Sequence, residues 1–323
     1  MGQLIKLQDY VSRYEQDIFI YPSRFVRLKK QQWGKWHHAW ESKESSIFEP
    51  EDQFSGSSGW TDEEKEPLMD KLKSFLKREK NEEELSPQVF QQKEEAEDAL
   101  DFKASFSVRP ETLDTLKHQF LDQLFRFQMK WATSTLTEKS FPDKRYYYDE
   151  KLKYFLQRFP DTYLTLYNPI FLLKQAPVET ESILISPTEA WCISFLEAED
   201  LAVFSGSKER FWTKKGTAGD KKILNPLLAL NRTEKIVSKV FELHDIDLPI
   251  QKAILCRNGY IDFPTAPFDV QFIEKRNYQD WFQSMRNQRS PLKHMQLKGA
   301  QALFHYCQTT SVRRLEWENA DDQ

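Results

Sequence analysis

The chain has 323 residues, of which 39% are hydrophobic and 14% aromatic, including 24 Phe and 9 Trp, which is enough large apolar side chains to build cores and excludes a disordered polymer. A formal net charge of −4 excludes nucleic-acid binding by overall charge, so any such binding must come from a local patch. No apolar run approaches the roughly 20 residues of a membrane-spanning helix, and Met1-Gly2-Gln3-Leu4-Ile5-Lys6 passes directly into a polar pattern with no signal-peptide core, so a cytoplasmic address is expected. Cys192, Cys256 and Cys307 are widely separated in apolar or mixed runs, a pattern of buried free thiols rather than of a disulfide frame or a zinc site. The length favours two parts.

Leu4, Leu7, Val11 and Tyr14 recur at helical spacing, and Pro22-Ser23 supplies a break and an N-cap, so residues 1–41 read as a helical hairpin. Its second helix carries Arg24, Arg27, Lys29, Lys30 and Lys35 interleaved with Phe25, Leu28, Trp33, Trp36 and Trp40. Such a mixture holds phosphates and stacks on bases; in the competing reading the aromatics are a buried face and the cations are solvated. Residues 42–109 read as an acidic linker with one short helix carrying Leu68, Met69, Leu72, Phe75 and Leu76, its acids forming a solvated face or a partner-docking segment. Residues 110–145 hold a long amphipathic helix, from Pro110 to about Thr133, with Leu113, Leu116, Phe120, Leu124, Phe127 and Trp131 on one face, and a connection.

From residue 146 to 323 the periodicity turns mixed, which predicts an α/β domain. Leu152, Phe155, Leu156 and Phe159 mark a helix before Pro160, and strands follow at Tyr163 to Tyr167, Ile170 to Leu173, Ile183 to Ile185 and Ala190 to Phe195. Ser186-Pro187-Thr188-Glu189 is short enough to close the last two into a hairpin. Leu201 to Phe204 and Phe211-Trp212 extend the sheet, Asn225-Pro226 opens a long helix, Ala253 to Cys256 and Val270 to Ile273 add strands, and helices near Tyr278 to Met285 and Leu292 to Tyr306 follow.

The run from Thr180 to Ile193, Thr-Glu-Ser-Ile-Leu-Ile-Ser-Pro-Thr-Glu-Ala-Trp-Cys-Ile, with Asn225-Pro226-Leu227 opening a helix, resembles the nuclease-related domain, which is similar to the PD-(D/E)xK nucleases. The resemblance covers about Tyr148 to Met285 and implies a mixed central sheet flanked by helices, preceded here by a helical N-terminal part. It also implies a site in which an Asp and a Glu hold a hard cation and a Lys assists the attacking water. Glu181 stands in the place of that Asp, Ser194 in that of the Glu, Leu196 in that of the Lys, and Ala229 in that of a Gln after Asn-Pro. Ser and Leu supply neither the second carboxylate nor the ammonium, so the site reads as degenerate.

A metal site would require Glu179, Glu181, Glu197 and Glu199 to converge, whereas both pairs lie at strand ends where exposed acids are common. No metal ligand set and no cofactor are therefore expected, Mg²⁺ or Mn²⁺ entering only if the protein is a nuclease with migrated ligands. Lys214, Lys215, Lys221 and Lys222 around Gly216 and Gly219 form an exposed loop that could touch a phosphate backbone. The expectation from sequence is a non-catalytic interaction or scaffolding protein, with a protein partner and without enzymatic activity. A nucleic-acid-binding module and a nuclease with migrated ligands are the alternatives.

Overall fold

The computed structural model describes residues 1–42, 102, 110–199, 201–216, 219–288 and 290–314. The chain opens with strand β1 (Gln3–Leu7), a 3-10 turn at Arg13–Glu15 and helix α1 (Tyr21–Glu41). Helix α2 (Leu113–Trp131), strand β2 (Glu138–Lys139) and helix α3 (Glu150–Arg158) lead into β3 (Leu164–Tyr167), β4 (Ile170–Leu173), β5 (Ala176–Glu179), β6 (Ser182–Ile185) and β7 (Ala190–Phe195). Next come β8 (Val203–Ser205), β9 (Phe211–Lys215), β10 (Lys221–Leu224), helix α4 (Pro226–Leu243) and strands β11 (Ile250–Cys256), β12 (Tyr260–Asp262) and β13 (Gln271–Glu274). Helices α5 (Tyr278–Asn287) and α6 (His294–Tyr306) and strand β14 (Val312–Arg313) complete it.

The architecture is α/β, with a six-stranded mixed sheet in the order β1-β3-β6-β7-β11-β13. Strands β3, β6 and β7 are antiparallel, while β1 runs parallel to β3 and β11 lies parallel to both β7 and β13. Ser186 accepts from the Thr188 and Glu189 amides through its hydroxyl and closes the predicted β6–β7 hairpin. One face packs Trp191, Ile193 and Leu255 against Phe125 and Met129 of α2, Leu152, Phe155 and Leu156 of α3, and Phe282 and Met285 of α5 in a single apolar core. Strand alternation turns Cys192 and Ser194 to the opposite face, where α4 packs on β7 and β11.

The sequence pattern misplaces several features. Leu4 and Leu7 lie on a strand, not on the first helix of a hairpin, and all five residues of β1 are buried. Gln3 and Lys6 of the same strand, polar enough to suit a helix surface, are fully buried and paired: Lys6 meets Glu15 and donates to Thr309 Oγ1 at 2.8 Å. Pro22 does not break a helix either, because α1 begins at Tyr21 and places it in the first turn, where a missing N–H costs nothing. Strands β8 and β9 do not extend the central sheet; with β10 and β12 they form a separate four-stranded sheet in the order β10-β9-β8-β12, and β4 and β5 form a ribbon of their own.

Chain contacts define two compact units, Met1–Gly34 with Lys117–Gln323, and Lys35–Leu116. In the second, Trp36 is buried with its ring 6.0 Å from that of Phe102, and Trp40 Nε1 donates to the Pro110 carbonyl. The acidic segment with its expected short helix falls on residues 43–101, outside the described residues. Among the described residues no helix is long and apolar enough to cross a membrane.

As the first strand of the sheet, β1 has an unpaired outer edge. Gln128 of α2, fully buried, completes it: its Oε1 accepts from the Leu4 amide at 2.5 Å and its Nε2 donates to the Gly2 carbonyl at 2.8 Å. A side-chain amide thereby stands in for a further strand. Gln128→Leu, of similar volume, leaves a buried donor and acceptor unpaired and is expected to lower stability by about 2–3 kcal/mol, measured as the shift of the urea midpoint at constant slope.

Candidate active site

The C-terminal ends of β3 and β7, the residue before β6 and the start of α3 meet at one cleft. Asp149 caps α3, its Oδ1 accepting from the Lys151 and Leu152 amides at 2.9 and 3.2 Å, and its Oδ2 accepts from the Tyr167 hydroxyl at 2.7 Å. These bonds fix the first turn of α3 and with it Lys151. Asn168 takes a left-handed conformation (φ 45°), which Asn tolerates better than most residues, and its Oδ1 accepts from the Ser182 hydroxyl.

Glu181 precedes β6 by one residue. Its amide donates to Thr233 Oγ1 at 2.9 Å, and that hydroxyl, fully buried on α4, donates in turn to the Ala229 carbonyl. The adjacent register pair, Ser182 with Ile193, sets Glu181 across from Ser194, and the two line the same cavity. Burial pushes the Glu181 carboxyl above its usual range; Ser194, Lys151 and Arg232 oppose that shift without cancelling it. The result is a desolvated acid with raised proton affinity, facing cations from α3 and α4.

Two adjoining cavities share this floor. One, of about 440 Å³, is lined by Asp149, Lys151, Tyr167, Asn168 and Arg257, and the other, of about 410 Å³, by Lys214, Lys221, Ile223, Leu224 and Asn225; Glu181, Ser194, Phe195 and Glu197 line both. The four positions aligned with the nuclease-related family, Glu181, Ser194, Leu196 and Ala229, all line the second cavity.

The other acids do not join Glu181. Glu197 pairs with Arg257, which also lies over the Tyr154 ring at 4.4 Å. Glu199 receives both of its carboxylate bonds from Lys214, at 2.9 and 2.7 Å, and is held below the ordinary carboxyl range by that cation. Glu179 is exposed at the end of β5. Among the described residues no three His, Cys, Asp or Glu side chains lie close enough to hold a metal ion. A hard cation requires several oxygens at once, so this donor set does not fit the Mg²⁺ or Mn²⁺ that the family resemblance implies.

The basic residues singled out in sequence divide sharply. Of those on α1, Lys29 is paired with Asp161, Arg24 lies over the Tyr21 ring, Arg27, Lys30 and Lys35 are exposed, and none lines either cavity. The aromatics between them are committed to packing: Phe25 meets the Trp131 ring at 6.1 Å and Trp33 meets Phe120 at 5.2 Å, which removes them as base-stacking platforms. Lys214, Lys215, Lys221 and Lys222 lie not in a loop but on the paired strands β9 and β10. Lys214 and Lys221 reach the cleft, whereas Lys215 and Lys222 are exposed outside it.

Lys151, Tyr167 and Arg257 have no local motif, and only the packing of α3 and the pairing of the sheet bring them to Glu181. The one sequence signal was Asp149 before Glu150-Lys151, an N-cap with an acid in the first turn.

Comparison with known proteins places an enzyme beside this chain. Over 128 residues it is 35% identical to a protein of Geobacillus stearothermophilus named RNA 2',3'-cyclic phosphodiesterase, a stretch that covers 40% of this chain and 36% of that protein. The chain thus matches little more than a third of that relative's length. No family model and no solved structure matches. The expectation of a non-catalytic scaffolding protein is overturned by this relative, whose name denotes catalysis. The loss of the family's ligands at Ser194 and Leu196 argued against metal chemistry of one kind, not against chemistry altogether.

Because its carboxyl binds a proton more tightly in the folded than in the unfolded chain, ionised Glu181 destabilises the fold, and stability from this group falls as pH rises above the unfolded carboxyl value. Glu181→Gln is therefore expected to melt higher than the parent at about pH 7, the gap closing as pH falls through about 4. Equal melting temperatures across that range would contradict a desolvated carboxyl.

Proposed function

We propose that the chain is a phosphodiester-hydrolysing enzyme that opens RNA 2',3'-cyclic phosphates at the Glu181 cleft. The observation that carries this reading is Glu181 itself, a half-buried acid whose proton affinity is raised by desolvation, on the wall of a cavity that Ser194 and Lys151 also line. Proton affinity tuned towards neutral pH is what a general acid–base group requires. The enzymatic relative supplies the substrate class, and the resemblance to a nuclease-related family, also directed at phosphodiesters, supports the same bond type.

In this reading the anionic cyclic phosphate is drawn to Lys151 and Arg232, which offset the charge that builds on the non-bridging oxygens as phosphorus becomes five-coordinate. Water attacks phosphorus and gives its proton to the Glu181 carboxylate. The bond from phosphorus to one ribose oxygen breaks, and the proton passes from Glu181 to that oxygen, leaving a phosphomonoester and a free hydroxyl. Ser194 orients the carboxylate, and Thr233 holds the backbone that carries it. We also place the protein in the cytoplasm: Cys192 and Cys256 are buried free thiols, Cys256 pushed up to about 11 by burial, which suits a reducing compartment.

The test is hydrolysis by the purified full chain of an RNA oligonucleotide ending in a 2',3'-cyclic phosphate, in the presence of a chelator. Turnover to the phosphomonoester is expected, with Glu181→Gln lowering kcat about 100-fold or more and Lys151→Ala lowering kcat/KM. No turnover, or an unchanged rate in Glu181→Gln, would refute the assignment.

A further inference from the structure

The cleft does not end at Glu181. Resting on the phosphodiesterase reading above, we infer that its substrate is an oligonucleotide rather than a single nucleotide, and that the β9–β10 hairpin binds the phosphate next to the reacting one through Lys214 and Lys221. Three observations carry this.

The first is the shape of the site. Glu181 and Ser194 lie on the wall common to both cavities, so a phosphate in reach of Glu181 fills one end of a trough that continues towards the hairpin. A mononucleotide would leave that second cavity, of about 410 Å³, without an occupant.

The second is the register of the hairpin. Lys221 is the direct cross-strand partner of Lys214, and like charges set opposite each other are destabilising. Glu199 answers Lys214 with both oxygens at 2.9 and 2.7 Å, and Lys221 is exposed at the cleft rim. Lys214 is thus answered by Glu199 and Glu197 by Arg257, whereas among the described residues no carboxylate lies in ion-pair range of Lys221, whose charge stands at the rim for a phosphate to meet.

The third is the chemistry of the remaining wall. Ile223, next to Lys221 on the same face of β10, and the exposed Leu224 give the trough an apolar side beside its cations. A nucleic-acid strand has this duality, with charge on its backbone and apolar faces on its bases, whereas a small anion does not.

The experiment compares uridine 2',3'-cyclic phosphate with a six-nucleotide RNA ending in the same group, as kcat/KM for the parent, Lys221→Ala and Lys239→Ala. Lys239 is an exposed α4 lysine paired with Glu242 and serves as the charge control. The oligonucleotide is expected to be the better substrate of the parent, and Lys221→Ala to lower the ratio of oligonucleotide to mononucleotide kcat/KM about tenfold; Lys239→Ala keeps it. A ratio unmoved in Lys221→Ala overturns the hairpin assignment while hydrolysis of both substrates leaves the phosphodiesterase reading standing. If neither substrate turns over, that reading falls, and the hairpin is judged by fluorescence anisotropy with a labelled six-nucleotide RNA ending in a 3'-phosphate. Lys214→Gln/Lys221→Gln is then expected to weaken binding and to flatten the log–log salt slope by about 0.7 per lysine, and an unchanged slope overturns it.

Discussion

Strand β7 is the constraint on which the rest depends. It is paired on both sides, antiparallel with β6 and parallel with β11, so its position is fixed by two hydrogen-bonded ladders at once. Its alternate residues divide the molecule: Trp191 and Ile193 enter the aromatic core beneath α3 and α5, while Cys192 and Ser194 face the α4 side. A slip of one residue would exchange those faces and turn Ser194 away from Glu181. The antiparallel step from β6 brings the two together, and the parallel step to β11 delivers Arg257 to the same end.

Several acids of the cleft are neutralised by their neighbours, and Glu181 is not among them. Glu197 and Glu199 each have a cation, and Asp149 spends its oxygens on helix amides and a tyrosine hydroxyl. Glu181 is treated differently. Its backbone is anchored by Thr233 and its carboxyl is partly desolvated, with Ser194 beside it and with Lys151 and Arg232 acting through their charge. Burying an acid without a full complement of partners costs stability, and natural proteins tolerate that cost at functional sites. Among the described residues no three carboxylate, imidazole or thiol groups converge there to hold a hard cation.

The edge of the sheet shows how far secondary structure depends on distant residues. Leu4, Leu7, Val11 and Tyr14 satisfy a helical period, yet the first two occupy a strand because β3 offers a ladder and Gln128 of α2 closes the other side. Nothing within the first fourteen residues records either partner. In the second half the patterns were stronger. The α3 stripe, the Ser186 to Glu189 turn and the Asn225-Pro226 cap each carry their own local chemistry, and each stands where expected.

The sequence by itself determined that the protein is α/β, where β6 and β7 join and where α4 begins, and these follow from period, turn chemistry and capping, which act over a few residues; Glu181, Ser194, Leu196 and Ala229 are singled out together only by the resemblance to the nuclease-related family. The tertiary structure alone decided the surroundings of these positions. It half-buried Glu181 and raised its proton affinity, brought Lys151 from α3 and Lys214 and Lys221 from the hairpin to adjoining cavities, and packed Phe25 and Trp33 of α1 against other rings. Desolvation and charge proximity are properties of position in space, and residues far apart in the chain acquire them only when the sheet is assembled.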